Sequence, residues 1–199
     1  MMLALERTMA KAHSKTTRRG SVRIIGGDWR RRQIPLPPVA GLRPTPDRVR
    51  ETVFNWLMPM LPGASCLDLF AGSGALGLEA LSRGARHAVF VEADPICADA
   101  IAERCRALDA DAEIVRADVA DYLSRPPRGR FDVVFVDPPY SASVEPVLDA
   151  LAALSPQPGI VYVERARSDP WPGNSGLDWF KRATAGGVAF GLGRFAAAE

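Results

Sequence analysis

The sequence predicts an α/β fold: a mainly parallel twisted sheet with helices on both faces and an antiparallel final strand. Two observations predict the core. From residue 65 onward, short apolar runs bounded by glycine, proline and acidic residues alternate with segments of helical period. Several of these runs, such as "VVFV" at 133–136, are continuous rather than alternating, as expected of strands buried on both faces. The third observation is the close of the chain, where "LDWFKRATAG" and "GVAFGLGRF" read as two strands about Gly186–Gly187.

Taken in order, "SVRIIGGDWRRRQIPLP" (21–37) reads as two short strands turning at Gly26-Gly27-Asp28, with Arg30, Arg31 and Arg32 beside Trp29 on the second arm. In "GLRPTPDRVRETVFNWLMPM", Thr45 suits an N-cap, Pro46 the first helical position and Asp47 the positive helix end. Val49, Val53, Trp56, Leu57 and Met60 then recur at helical spacing. "SCLDLF" is a strand and "GALGLEALSRG" a helix ended by Gly84. "HAVFVE" is a strand, and "PICADAIAERCRALD" a helix opened by Pro95. The strand "AEIVRA", a short helix near "VADYL", the strand leading into "DPPY", the helix "SVEPVLDALAAL" and the strand "GIVYVE" complete repeated βαβ units. The expected organisation is a basic tail over 1–20, a hairpin-and-helix extension over 21–62 and a catalytic α/β domain over 63–199.

The 199 residues fit one such domain with a small appendage. No apolar run approaches the ~18 residues that span a bilayer. Cys66, Cys97 and Cys105 show neither disulfide nor zinc spacing and read as packing residues in a reducing cytoplasm. With only His13 and His87, a histidine-based triad or a metal site is not expected. The net charge of +2 hides an asymmetry, because residues 1–50 hold 12 Lys/Arg against Glu6, Asp28 and Asp47. A basic start on an acidic body points to a polyanionic partner at that end. For residues 1–20 a solvated tail is the simpler reading.

Gly72-Ser73-Gly74-Ala75-Leu76-Gly77 matches G-x-G-x-x-G between a strand and a helix, with Glu92 at the next strand end. That pattern alone fits a dinucleotide. Asp68 before the loop, however, is ill placed for a pyrophosphate at the helix N-terminus and well placed for a cofactor carrying an ammonium and a sulfonium. Asp118 follows the third strand, where it can accept from an adenine amine. Asp68, Glu92, Asp118 and Asp137 thus close successive strands, on the side where such sheets bind ligands. S-adenosyl-L-methionine is the expected cofactor.

"DPPY" explains itself chemically. Pro138 and Pro139 lack an N–H and hold Asp137 and Pro138 extended. The Asp137 carboxylate and the Pro138 carbonyl can then accept both hydrogens of an exocyclic amine. That turns the nitrogen lone pair towards a sulfonium methyl, so transfer depends on positioning more than on a strong base. Tyr140 offers a π face to a flipped-out base.

The pairing of "DLFAGSGALG" with "DPPY" resembles methyltransferases acting on amino groups of nucleic-acid bases. "RIIGGDWRRRQIPLP", "GLRPTPDRVRETVFNWL" and "CLDLFAGSGALGLEALSRGA" narrow this, because together they resemble the RsmD family. The resemblance runs from about Val22 to the final strand. It implies a Rossmann-like class I fold that uses S-adenosylmethionine to methylate N2 of one guanine in 16S ribosomal RNA of the small subunit (the guanine(966)-N2 type). It implies that Asp68, Phe70, Gly72, Ser73, Gly74, Glu92, Ala93, Asp118, Val119 and Asp137 line the cofactor. Asp137, Pro138, Pro139 and Tyr140 would be catalytic, holding the guanine. Arg23, Arg30, Arg31, Arg32, Arg43, Thr45 and Arg48, with Tyr140, would meet RNA. Arg43, Thr45 and Arg48 match a segment of the family that could equally serve the cofactor or the framework. Nothing carries over to 127–130 or 168–176. The expected protein is a cytoplasmic monomer with no metal and no membrane partner.

Three other readings compete. A DNA adenine-N6 or other exocyclic-amine enzyme shares DPPY, but the chain shows no added target-recognition insertion. An NAD(P)-dependent oxidoreductase accounts for GSGALG and leaves DPPY and the basic hairpin unexplained. A binding module with a vestigial cofactor site is disfavoured by intact Gly72, Gly74, Glu92 and Asp137.

Overall fold

A computed structural model describes residues 20–42, 44–125, 129–139, 142–173 and 176–196. Its elements are β1 (Ser21–Arg23), β2 (Gln33–Pro35), α1 (Asp47–Leu57) with a 3-10 turn (Met58–Met60), β3 (Ser65–Asp68), α2 (Ala75–Ser82), β4 (His87–Val91) and α3 (Pro95–Ala107). There follow β5 (Ala112–Val115), α4 (Val119–Leu123), β6 (Val133–Val136), α5 (Glu145–Ala152), β7 (Ile160–Ala166), β8 (Leu177–Ala185) and β9 (Val188–Phe195). β1 and β2 form a separate antiparallel ribbon. The main sheet has seven strands in the order β5-β4-β3-β6-β7-β9-β8. β5 through β7 are mutually parallel, whereas β9 runs antiparallel to both β7 and β8.

The chain moves outward from β3 through β4 to β5, then crosses back to lay β6 on the other side of β3. That reversal opens a crevice at the carboxyl ends of β3 and β6, where doubly wound sheets bind ligands. The apolar runs bury alternately. Cys66, Ala88, Phe90, Val133, Phe135, Ile160 and Tyr162 join the core beneath the ribbon, α1, α2 and α3. Leu67, Val89, Val91, Val134, Val136, Val161 and Val163 join the opposite core beneath α4 and α5. The unbroken run "VVFV" is what a strand with two buried faces requires.

The ribbon belongs to the first core through Val22, Ile24 and Ile34, and it covers α2, all eight of whose residues are buried. Its loop is tied to the end of that helix by polar contacts. The Ile25 and Gly26 amides donate to the two oxygens of Glu79 (2.7 and 2.8 Å), and the Asp28 amide donates to the Ser82 carbonyl (2.7 Å). Arg50, itself fully buried on α1, pairs with Asp47 (2.6 Å) and Glu79 (3.6 Å), while Arg83 Nε donates to Glu79 (2.6 Å).

Arg30, Arg31 and Arg32 do not lie on the second arm, because β2 begins only at Gln33. The Arg31 amide donates to the Ile24 carbonyl and the Ile24 amide to the Arg32 carbonyl, which closes a longer loop with Arg31 at φ 71°. The docking of residues 25–29 on α2 sets that loop length. All three cysteines are buried, and burial pushes their thiols up to about 12 at Cys66 and about 11 at Cys97 and Cys105, as inert packing residues require.

Candidate active site

Four of the predicted strand-end acids stand at the carboxyl edge of the sheet, but their local duties differ. Asp68 ends β3, buried, and its Oδ2 accepts from the Gly77 amide (3.0 Å) in the first turn of α2. The carboxylate and the positive end of the helix therefore face each other. Gly72 and Gly74 both sit at positive φ, 53° and 77°, where a side chain is strained. Gly77 serves a different need: a Cβ there would stand 2.2 Å from Phe90 Cε1 on β4, so the helix could not lie this close to the sheet.

Glu92 follows β4 and reaches back across the loop. Its Oε2 accepts from the Gly72 amide (2.6 Å) and its Oε1 from the Asp94 amide (2.7 Å). Glu92 is thus part of the loop's framework as well as a candidate ligand. Asp118 is exposed and caps α4 by accepting from the Ala120 amide (2.8 Å). Beside Glu92, Ala93 is exposed, and Ile96 is one of the two large apolar side chains left in solvent among the described residues. Phe70 packs partly buried against the second core, Val119 is buried within it, and the buried Ser73 gives its carbonyl to Arg104 Nη1 (3.1 Å).

Asp137 follows β6 directly, and its surroundings hold a residue that sequence reasoning placed elsewhere. Thr45 does not cap α1, which begins after Pro46 with no side-chain cap. Its buried hydroxyl instead donates to Asp137 Oδ2 (2.8 Å), linking the loop ahead of α1 to the centre of the sheet. Pro46 stands just outside the helix, so the preceding residue is held extended and its side chain is free to turn inward. Thr45 was expected among the RNA contacts; burial makes it a partner of Asp137.

Behind Thr45 lies Glu164 on β7, which the sequence reading passed over. It is 3% exposed, and Tyr162, two residues earlier on the same strand face, donates its hydroxyl to Glu164 Oε2 (2.7 Å). The available signal was its place at the end of the buried run "GIVYVE", as the fifth strand-end acid. Burial and the Asp137 carboxylate push Glu164 up to about 8, against the hydroxyls of Tyr162 and Thr45. Burial pushes Asp137 up to about 6, opposed by Thr45. The two carboxyls therefore titrate as a coupled pair, both raised by burial, with Glu164 raised further by the Asp137 carboxylate. Burial also pushes Asp68 up to about 7, with the Gly77 amide opposing and Asp137 and Glu92 adding to the rise. Asp68, Glu92, Asp137 and Glu164 therefore form one electrostatic group.

Of the expected RNA contacts, Arg30, Arg31, Arg32 and Arg48 are exposed and form no ion pair among the described residues. Arg23 faces Asp47 at 3.5 Å. Arg43 and Tyr140 lie outside the described residues. Pro138 is buried, and with Pro139 it borders a cavity of about 210 Å³ that also touches Glu145 and Arg165.

The chain is similar to known proteins over most of its length. A family model described as conserved hypothetical protein 95 matches residues 22–193. The ribosomal RNA small subunit methyltransferase D of Haemophilus influenzae is 40% identical over 182 residues, 87% of this chain and 94% of that protein. The protein of the same name from Escherichia coli K12 is 50% identical over 123 residues, 61% of each chain. The solved structure of Escherichia coli yhhF, a proposed methyltransferase, superposes with a TM-score of 0.78 at 40% identity, covering 89% of this chain and 99% of that one. The architecture is the Rossmann-like fold of class I methyltransferases. With a family match across 22–193 and a relative aligned over nearly its whole length, the chain belongs to the conserved hypothetical protein 95 family, the RsmD family of ribosomal RNA small subunit methyltransferases.

Proposed function

We propose that this protein transfers the methyl group of S-adenosylmethionine to the exocyclic N2 amine of a guanine in 16S ribosomal RNA, acting in the cytoplasm on the small ribosomal subunit. The observation that carries the reading is Asp137, held by Thr45 at 2.8 Å and followed by Pro138 and Pro139, in the crevice between β3 and β6. A carboxylate fixed by one donor, with two donor-free residues after it, is built to accept hydrogens from an amine. The cofactor supplies an electrophilic methyl on a sulfonium.

In this reading the backbone at Gly72 and Gly74 lets the cofactor approach the loop, and Asp68 faces its ammonium. Glu92 has each oxygen in one amide contact and keeps lone pairs for ribose hydroxyls. Ala93, Ile96 and Val119 supply apolar surface for adenine, with Asp118 at its amine. Asp137 and the Pro138 carbonyl take the two hydrogens of the guanine amine and aim the nitrogen. Transfer would break the S–C bond of the sulfonium as the N–C bond forms, leaving a neutral thioether, and the amine's surplus proton would pass to Asp137, whose raised pKa makes it a competent acceptor. Glu164, protonated, keeps a second negative charge away from Asp137. The exposed arginines of the β1–β2 loop meet RNA phosphates.

Calorimetry with S-adenosylmethionine against NADH tests the cofactor. Tritiated-methyl transfer to small subunits, naked ribosomal RNA and DNA, followed by nucleoside analysis, tests the acceptor. N2-methylguanosine from the RNA or the subunit is the expected product. Label in N6-methyladenine of DNA would refute the reading.

A further inference from the structure

We propose that the cavity beside Pro138 and Pro139 reads the Watson–Crick edge of the target guanine, with Arg165 donating to O6 and Glu145 accepting from N1–H. The inference rests on the functional reading above and deepens it, because DPPY alone suits any exocyclic amine and does not select guanine.

Arg165 lies near the end of β7, in the strand that carries Glu164, and is 5% exposed. Its Nη1 donates to the carbonyls of Ala166 and Asp169, while its buried Nε has no partner among the described residues. Leaving a buried guanidinium N–H unpaired is costly, and a ligand carbonyl would relieve that cost. Trp171 covers one face of the guanidinium, with Arg165 Cζ 4.6 Å from a ring centroid, which holds the group in place. Glu145 opens α5 across the same cavity and is exposed, and its carboxylate accepts from the Ser143 hydroxyl. A hydroxyl contact leaves most of the carboxylate's lone pairs available. The Ser143 contact first, and Arg165 among further causes, hold the Glu145 carboxyl below its ordinary range, so it is an acceptor at neutral pH.

The set of these groups matches guanine. Along its edge, guanine presents an N2 donor, an N1–H donor and an O6 acceptor. Pro138, Glu145 and Arg165 line one cavity and supply acceptor, acceptor and donor. Adenine would set its N1 acceptor against Glu145 and its amine donors against Arg165, a mismatch at both positions. The volume of about 210 Å³ is of the scale of a single base.

The test replaces the accepting guanosine, located with the wild-type enzyme, by 2-aminopurine riboside in a small-subunit RNA fragment. 2-Aminopurine keeps the N2 amine but lacks O6 and N1–H. Wild type is expected to prefer guanosine, and Arg165→Met, which keeps an apolar stem against Trp171, to shrink that preference by about 10- to 100-fold. The loss should fall on the guanosine substrate, with the 2-aminopurine rate nearly unchanged. Comparing enzymes on each substrate cancels the intrinsic reactivity of the two amines. Glu145→Gln should shrink the preference as well. Unchanged S-adenosylmethionine affinity checks that each variant is folded, and if Arg165→Met fails that check, Glu145→Gln decides alone. An equal fall on both RNAs, or no fall on either, would overturn the subsite while leaving the methyltransferase reading intact. No transfer to guanosine by wild type would sink that reading and the subsite with it.

Discussion

Replacing Thr45 by valine should move the acid limb of the methyl-transfer rate without disturbing the fold. Valine has nearly the shape of threonine and lacks only the hydroxyl that donates to Asp137 Oδ2 at 2.8 Å. A hydrogen bond to a charged group contributes about 1.5–3 kcal/mol. Since one pKa unit corresponds to about 1.4 kcal/mol, the Asp137 limb should rise by roughly one to two units from its starting point of about 6. The direction follows from which form the hydroxyl favours. Thr45 donates to the ionised carboxylate, so removing it favours the protonated acid, which is a weaker acceptor for the guanine amine and cannot take its surplus proton. At pH 7 the ionised fraction should drop from roughly nine-tenths to half or less, a loss of about two- to tenfold in single-turnover rate. Near pH 9 the two enzymes should converge, because Asp137 is ionised in both. Asp137 and Glu164 titrate as a pair, so the quantity to compare is the lower apparent pKa of the profile. A quenched-flow or manual single-turnover assay with tritiated cofactor, run from pH 5.5 to 9.5, reads it directly. If the variant lost the same factor at every pH, Thr45 would be a steric spacer and the electrostatic account of Asp137 would be wrong.

Asp68, pushed up to about 7, should make S-adenosylmethionine bind more tightly as pH rises from 6 to 8, with proton uptake by the buffer on binding; Asp68→Asn should flatten that dependence in calorimetry. The same raised pKa means that, in the free protein, Asp68 favours folding in acid and that this contribution is lost as pH climbs from 3.8 towards about 7. Glu79→Ala strips the buried Arg50 of a counter-ion, and Arg83 and two ribbon amides of their acceptor, and is expected to cost about 3–5 kcal/mol, visible as a fall of roughly 10 °C in thermal denaturation. Neutralising Arg30, Arg31 and Arg32 together should lower RNA affinity and reduce the slope of log affinity against log salt by about two to three. An unchanged slope would make these arginines a solvated surface.

The core fold was legible because it is written locally. Continuous apolar runs mark strands with two buried faces, and Gly72, Gly74 and Gly84 mark the ends of elements at positive φ. Pro95 opens α3 as its type dictates, and the structure adds Asp94 as the cap, its carboxylate accepting from the Ile96 amide at 2.8 Å. Regular βαβ alternation then leaves few arrangements for the sheet, and "DLFAGSGALG" with "DPPY" places the chemistry at its carboxyl edge. What sequence could not supply were partnerships between residues far apart in the chain. Thr45 has the composition of an N-cap, yet it is 92 positions from the carboxylate it holds. Glu92 reads as a ribose ligand, whereas the fold also uses it to clamp the Gly72 amide. Arg30–Arg32 read as a strand until residues 25–29 docked on α2 and lengthened the loop. Glu164 and Arg165 look like the polar end of a strand. Only packing reveals one as a buried acid beside Asp137 and the other as a buried cation with an unpaired N–H. Periodicity and turn chemistry depend on neighbours within a few residues, so they determine the elements and their order. Burial and the partners of a charge depend on which elements meet, and that is decided only when the sheet closes over its two cores.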